Sequence, residues 1–112
     1  MSNTFSIPED RKLTIVCRVE PGCLGPQGAE HVVEFCHFSQ QKFQAIEADI
    51  INWDIMPRYD KSQAELQYKI NNKVLSQDKA EKYFRLFEKD IATIENISNE
   101  MIADLIDEYL GH

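Results

Sequence analysis

Cysteine, histidine and clustered glycine occur together once in this chain, in EPGCLGPQGAEH, residues 20 to 31. Gly22, Gly25 and Gly28 recur at every third position, Cys23 stands between the first two, and His31 follows. A glycine-rich turn ahead of a helix can aim backbone N–H groups at a phosphate. The flanking residues argue against that use. A P-loop ends in Gly-Lys-Ser/Thr, and the dinucleotide fingerprint runs G-x-G-x-x-G. Here Gly28 is followed by Ala29 and Glu30, and the spacing is G-x-x-G-x-x-G. Pro26 removes a donor, and no Lys or Arg lies between Glu20 and Glu34 to meet an anion. The pattern reads first as a long turn that needs positive φ at several places. The chemical alternative is a reactive thiol, because a helix N-terminus makes a nearby cysteine more acidic. Glu20, Glu30 and Glu34 oppose that effect, and no second cysteine stands at C-x-x-C spacing. Gly22, Cys23, Gly25, Gly28 and His31 are thus the candidate ligand or thiol site.

Cys23, His31, Cys36 and His37 are of types that suit zinc. No two of them stand at i, i+4, and on a helix Cys36 and His37 point about 100° apart. No metal and no cofactor is expected. Glu47, Asp49 and Asp54 could pair for acid–base work, but Glu47 and Asp49 fall on the solvated face of a strand. Trp53 and Tyr59, near Pro57, could line a small pocket. Neither G-x-S-x-G nor H-E-x-x-H occurs. The chain reads as non-catalytic, with a small thiol- or ligand-dependent enzyme centred on Cys23 as the alternative.

The net charge of −7 over 112 residues disfavours a phosphate backbone as partner. The charge is also uneven. From Glu95 to His112 stand Glu95, Glu100, Asp104, Asp107 and Glu108 without a Lys or Arg. Arg58, Lys61, Lys69 and Lys73 make a basic stretch against Asp60 and Glu65. Such a division is either a solvated acidic helix face or an acidic helix that meets a basic surface on a partner or a second copy. Three cysteines, with no apolar leader in MSNTFSIPEDRKL, suggest reduced thiols in the cytoplasm. No apolar run is long enough for a membrane span.

Composition fits one globular domain, 43% hydrophobic and 28% charged, over residues 11–112 behind a flexible tail of 1–10. KLTIVCRVE alternates as a half-buried strand, and AEHVVEFCHFSQQKF carries a helical stripe. Ile46, Ala48 and Ile50 alternate in one phase, and Ile51, Trp53 and Ile55 in the other. This predicts a long strand bulged at Ile50–Ile51. Leu66, Tyr68 and Ile70, followed by Asn71–Asn72, predict a hairpin. Ser76 caps a helix running through Ala80, Tyr83, Phe84, Phe87, Ile91 and Ile94, broken near Asn96–Ser98, and Ser98 caps a last helix ending at Gly111.

The order β-α-β-β-β-α-α predicts a two-layer α+β fold. A mostly antiparallel sheet of about four strands carries the helices on one face, and its last three strands pair antiparallel through short connections. The stripe of the last helix is too wide for so small a sheet to cover. Met101, Leu105, Ile106, Tyr109 and Leu110 are therefore the expected contact residues, rimmed by Asp104, Asp107 and Glu108. They would serve a regulatory or interaction module that forms a homodimer or meets an unknown protein partner.

Overall fold

The computed structural model describes residues 7–111. Of the tail expected over 1–10, residues 1–6 lie outside the described residues. Glu9–Arg11 form one 3-10 turn, Ile7 packs against the core, and Asn52 donates to the Glu9 carboxylate. The elements are β1 (Leu13–Val19), α1 (Gly28–Phe43), β2 (Ile51–Pro57), β3 (Leu66–Ile70), β4 (Lys73–Val74), α2 (Gln77–Leu86) and α3 (Ile91–Leu110). They form a two-layer α+β fold on a mixed four-stranded sheet of order β2-β1-β3-β4.

Period two explains β1. Leu13, Ile15, Cys17 and Val19 point into the core with 5% exposure or less. Register builds rows on that face: Leu13 beside Ile51 and Ile70, Ile15 beside Trp53 and Tyr68, Cys17 beside Ile55 and Leu66. Buried residues of all three helices join the same cluster. The opposite face carries Thr14, Val16, Arg18, Asn52, Asp54, Gln67 and Lys69. Only Val16 among these is buried, between Asp54 and Gln67.

Two expectations about the sheet are corrected. β2 does not pair antiparallel with β3; it runs parallel to β1, with α1 as the crossover, and β1 separates the two. Segment 58–65 carries the chain over the end of β1. There Arg58 N–H donates to Val19 O at 2.8 Å, and Arg18 N–H donates to Glu65 O at 2.8 Å. The strand also starts later than the alternation suggests. Residues 44–50 turn, with Glu47 at φ 47° accepting from Ile50 and Ile51 N–H. Ile46 serves there as an acceptor, its carbonyl taking the Trp53 indole N–H at 2.9 Å.

The hairpin follows from Asn71 and Asn72, both at positive φ (52° and 65°), as a tight turn between twisted strands requires. The helix break falls earlier than expected. α2 stops at Leu86: Glu88 is left-handed at φ 58°, and Phe84 O accepts from both Phe87 and Lys89 N–H. Asp90, in extended conformation, then precedes one unbroken α3 and accepts from the Thr93 hydroxyl. Ser98 does not break that helix, because its hydroxyl donates back to Glu95 O at 3.0 Å.

Two side chains lock the layers. The Tyr83 hydroxyl accepts from Leu13 N–H at 3.2 Å and donates to Ile50 O at 2.5 Å, tying α2 to the starts of β1 and β2. β2 is an edge strand, and Gln40 of α1 stands where a further strand would be. Its amide nitrogen donates to Trp53 O at 2.6 Å, and its oxygen accepts from Ile55 N–H at 2.8 Å. The side-chain amide completes the peptide ladder and closes the edge.

Candidate functional site

In the glycine loop, Pro21–Leu24 wind into a 3-10 turn. Cys23, Gly25 and Gly28 N–H donate to Glu20, Gly22 and Gly25 O at 3.0, 3.2 and 3.0 Å, so these donors serve the loop itself. Gly25 sits at φ 93°, where a side chain is strained. Gly28 lies so close to Pro21 that a Cβ would stand 1.6 Å from its carbonyl oxygen. Gly22 has neither restriction. Shape accounts for two of the three glycines, and neither needs a phosphate.

Beside the loop, Glu20, Gly22, Arg58, Tyr59 and Lys61 line a hollow of about 340 Å³ at the carboxyl ends of the parallel strands. Ligands often sit at such ends, but Arg58 is already engaged. Its guanidinium donates to Gln63 O at 2.9 Å and Lys61 O at 3.0 Å, and lies 3.4 Å from the Glu20 carboxylate. It clamps the crossing segment. Tyr59 is exposed and Trp53 is buried against Phe43, so the two do not share a pocket.

Cys23 is exposed, whereas Cys17 and Cys36 are buried. Burial pushes the Cys17 thiol up to about 12, helped by Cys36 and Glu65, and the Cys36 thiol up to about 11, helped by Asp54. Both behave as small apolar core residues. Among the described residues, no three of His, Cys, Asp and Glu converge as metal ligands. Glu47 pairs with Lys89 at 3.1 Å in the turn, and Asp54 lies on the helix-free sheet face, so the strand carboxylates do not meet at one site.

His31 meets the last helix instead. With Leu24, Pro26, Gln27 and Leu110 it lines a shallow hollow of about 250 Å³. Its ring lies edge-on to Tyr109 at 6.3 Å. Tyr109 also packs on Phe35 at 5.5 Å and Phe38 at 5.7 Å and donates to the Glu34 carboxylate. The two groups of residues singled out from sequence, loop and last helix, thus come together through His31 and Leu110. The stripe of α3 is unequal, however. Leu105 is 3% exposed and belongs to the chain's own core. Met101, Ile102, Ile106 and Tyr109 all pack partly against that core, and only Leu110 of the stripe is exposed. On one edge Ile102, Ile106 and Leu110, four residues apart, remain a partly uncovered row; Asp104, Asp107 and Glu108 are exposed, and Glu108 lies 3.9 Å from Lys42.

Among the described residues, the most exposed large apolar side chain is elsewhere. Leu86 at the end of α2 is 79% exposed. It stands between two adjoining hollows of about 540 and 520 Å³ that share its side chain and Tyr83. The charged residues lining them are Lys79, Lys82, Arg85 and Arg11, with no acid. None of these four is within 4.0 Å of a carboxylate among the described residues.

Comparison with known families, curated proteins and solved structures gave no match. The functional reading therefore rests on the surface itself. Sequence reasoning missed the Leu86 surface, although part of its signal was local. Lys79, Lys82 and Arg85 recur every third residue on α2, and Leu86 falls in the same sector as Lys79 and Lys82. Arg11, Ile70 and Phe87 reach the hollow only through the tertiary fold.

Proposed function

We propose that this chain is a non-catalytic interaction module that self-associates through α3 in a reducing, cytoplasmic setting. The row Ile102, Ile106 and Leu110 carries the reading. It is an apolar edge at i, i+4, i+8 on a helix whose exposed acids have no Lys or Arg in the same stretch. A row so spaced is the usual anchor of a helix that docks on another surface. Three unpaired thiols support the reducing setting. The net charge of −7 speaks against nucleic acid. Among the described residues, no helix is long and apolar enough to cross a membrane.

Sedimentation velocity across a concentration series tests this. The wild-type chain should pass from monomer to dimer. Leu110→Asp, at a position 37% exposed, should weaken assembly about tenfold or more while leaving thermal unfolding unchanged. Leu105→Asp should unfold the chain, since that side chain is core. A wild-type chain monomeric at every concentration up to its solubility limit would overturn the proposal.

A further inference from the structure

We infer that the two hollows beside Leu86 receive an acidic, amphipathic segment of a partner protein. This surface is separate from the one proposed above, because no residue of α3 lines either hollow.

Charge complementarity names the partner's chemistry. In a chain of net charge −7, the charged residues lining the hollows are Arg11, Lys79, Lys82 and Arg85. The acids nearest them in sequence, Glu9, Asp10, Asp78, Glu81 and Glu88, line neither hollow. No carboxylate among the described residues lies within 4.0 Å of any of the four cations. Carboxylates on a partner can meet them, steering the encounter and setting the register of the docked segment.

The apolar part is preformed. Ile7, Pro8, Ile70 and Tyr83 help to wall the hollow of about 520 Å³ on one side of Leu86. The Tyr83 ring cannot swing out to fill it, because its hydroxyl accepts from Leu13 N–H at 3.2 Å and donates to Ile50 O at 2.5 Å. A wall fixed in this way needs no ordering when something docks. Leu86, 79% exposed, is the ridge between this hollow and the one of about 540 Å³ lined by α2 alone. A small molecule in one hollow would leave that ridge in water. An elongated chain crossing it covers Leu86 and both hollows, with apolar side chains on either side of the ridge and acids toward the cations. A lipid surface fits less well. A helix that lies on lipid presents a broad apolar face, whereas Leu86 stands between Lys79 and Lys82 in its sector of α2.

The test selects random peptides displayed on phage against the immobilised full-length chain, then measures the selected peptides by fluorescence anisotropy. They should be rich in Asp and Glu and carry Leu, Ile or Phe among them. Leu86→Asp and Lys79→Glu/Lys82→Glu should each weaken their binding about tenfold or more, and so should added salt. All three side chains are exposed, so thermal unfolding by circular dichroism should match wild type. Leu110→Asp should bind the peptides as wild type does, since Leu110 lines neither hollow.

A selection that yields no acidic peptides would overturn the inference, as would acidic peptides that bind the Leu86→Asp chain as tightly as wild type. Binding to phosphatidylserine vesicles that is lost in Leu86→Asp would give the hollows to a lipid surface instead. A wild-type dimer that Leu86→Asp abolishes would give them to a second copy. A wild-type chain monomeric at every concentration removes the α3 proposal and leaves this one to the peptides.

Discussion

Removing Gln40 measures what holds the β2 edge closed. Gln40→Ala strips two hydrogen bonds at once, those to Ile55 N–H and Trp53 O. Each bond is worth about 0.5–1.5 kcal/mol net, and more where water cannot replace the lost partner. Trp53 and Ile55 are 5% and 6% exposed, which places the pair near the upper end. The higher helix propensity of alanine returns a few tenths of a kcal/mol. The expected loss is therefore about 2 kcal/mol, or a fall in Tm of roughly 8 °C for a chain of this size. Trp53 is the one tryptophan and packs 5.0 Å from Phe43, so its fluorescence during urea unfolding reports directly on this edge.

Gln40→Glu separates the two bonds. A carboxylate keeps the acceptor for Ile55 N–H but turns an oxygen toward Trp53 O, where the amide had a donor. The folded chain then holds the introduced carboxyl above its ordinary value, and the unfolded chain releases the proton first. Stability of this variant relative to wild type should thus fall as pH rises above about 4.3 and recover below it, where the protonated acid donates. A Gln40→Ala urea midpoint equal to wild type, or a Gln40→Glu deficit that does not change with pH, refutes the reasoning.

Gly28→Ala should destabilise the chain by about 2 kcal/mol or more, because its Cβ meets Pro21 O at 1.6 Å, whereas Gly22→Ala should leave the urea midpoint unchanged. Ser39 is fully buried and its hydroxyl has no partner among the described residues, so Ser39→Ala should stabilise by about 1–2 kcal/mol in calorimetry. Raised thiol and phenol values make the fold alkali-sensitive. Burial lifts Cys17 and Cys36 above 9.0, and burial, joined at Tyr68 by the Glu95 hydrogen bond, lifts Tyr68 and Tyr83 above 10.0. The unfolded chain loses those protons first, so stability should be complete below about pH 9 and decline above it; a flat Tm from pH 8 to about 11 would contradict this.

Much of the fold was legible because its signals are local. The alternation of Leu13 to Val19, the stripe of α1, the Asn71–Asn72 turn, the Ser76 cap and the left-handed Gly111 each depend on a few neighbouring residues. What was not legible is long-range. The order of strands around β1 is decided by how segment 58–65 crosses the sheet, and Arg18 and Arg58 fasten it there through Ala64, Gln63 and Lys61 carbonyls. Ile46–Ile50 kept an alternating pattern, yet a turn at Glu47 took precedence. At the candidate site, the α3 stripe was readable, but its division into a buried centre and an uncovered edge depends on where α1 lies. The Leu86 hollow combines residues from the start of the chain, β3 and α2, which no local window contains.

The central place of β1 bears on how the protein is made. β1 is synthesised before either strand that flanks it, because β2 and β3 both follow in the chain. During translation an apolar strand therefore leaves the ribosome with both edges open. α1 can shelter one face early, but the edge that β3 closes stays available until residues 66–70 emerge. Open strand edges are what neighbouring nascent chains pair with. In a crowded polysome this chain is most exposed to aggregation between the emergence of β1 and the emergence of β3.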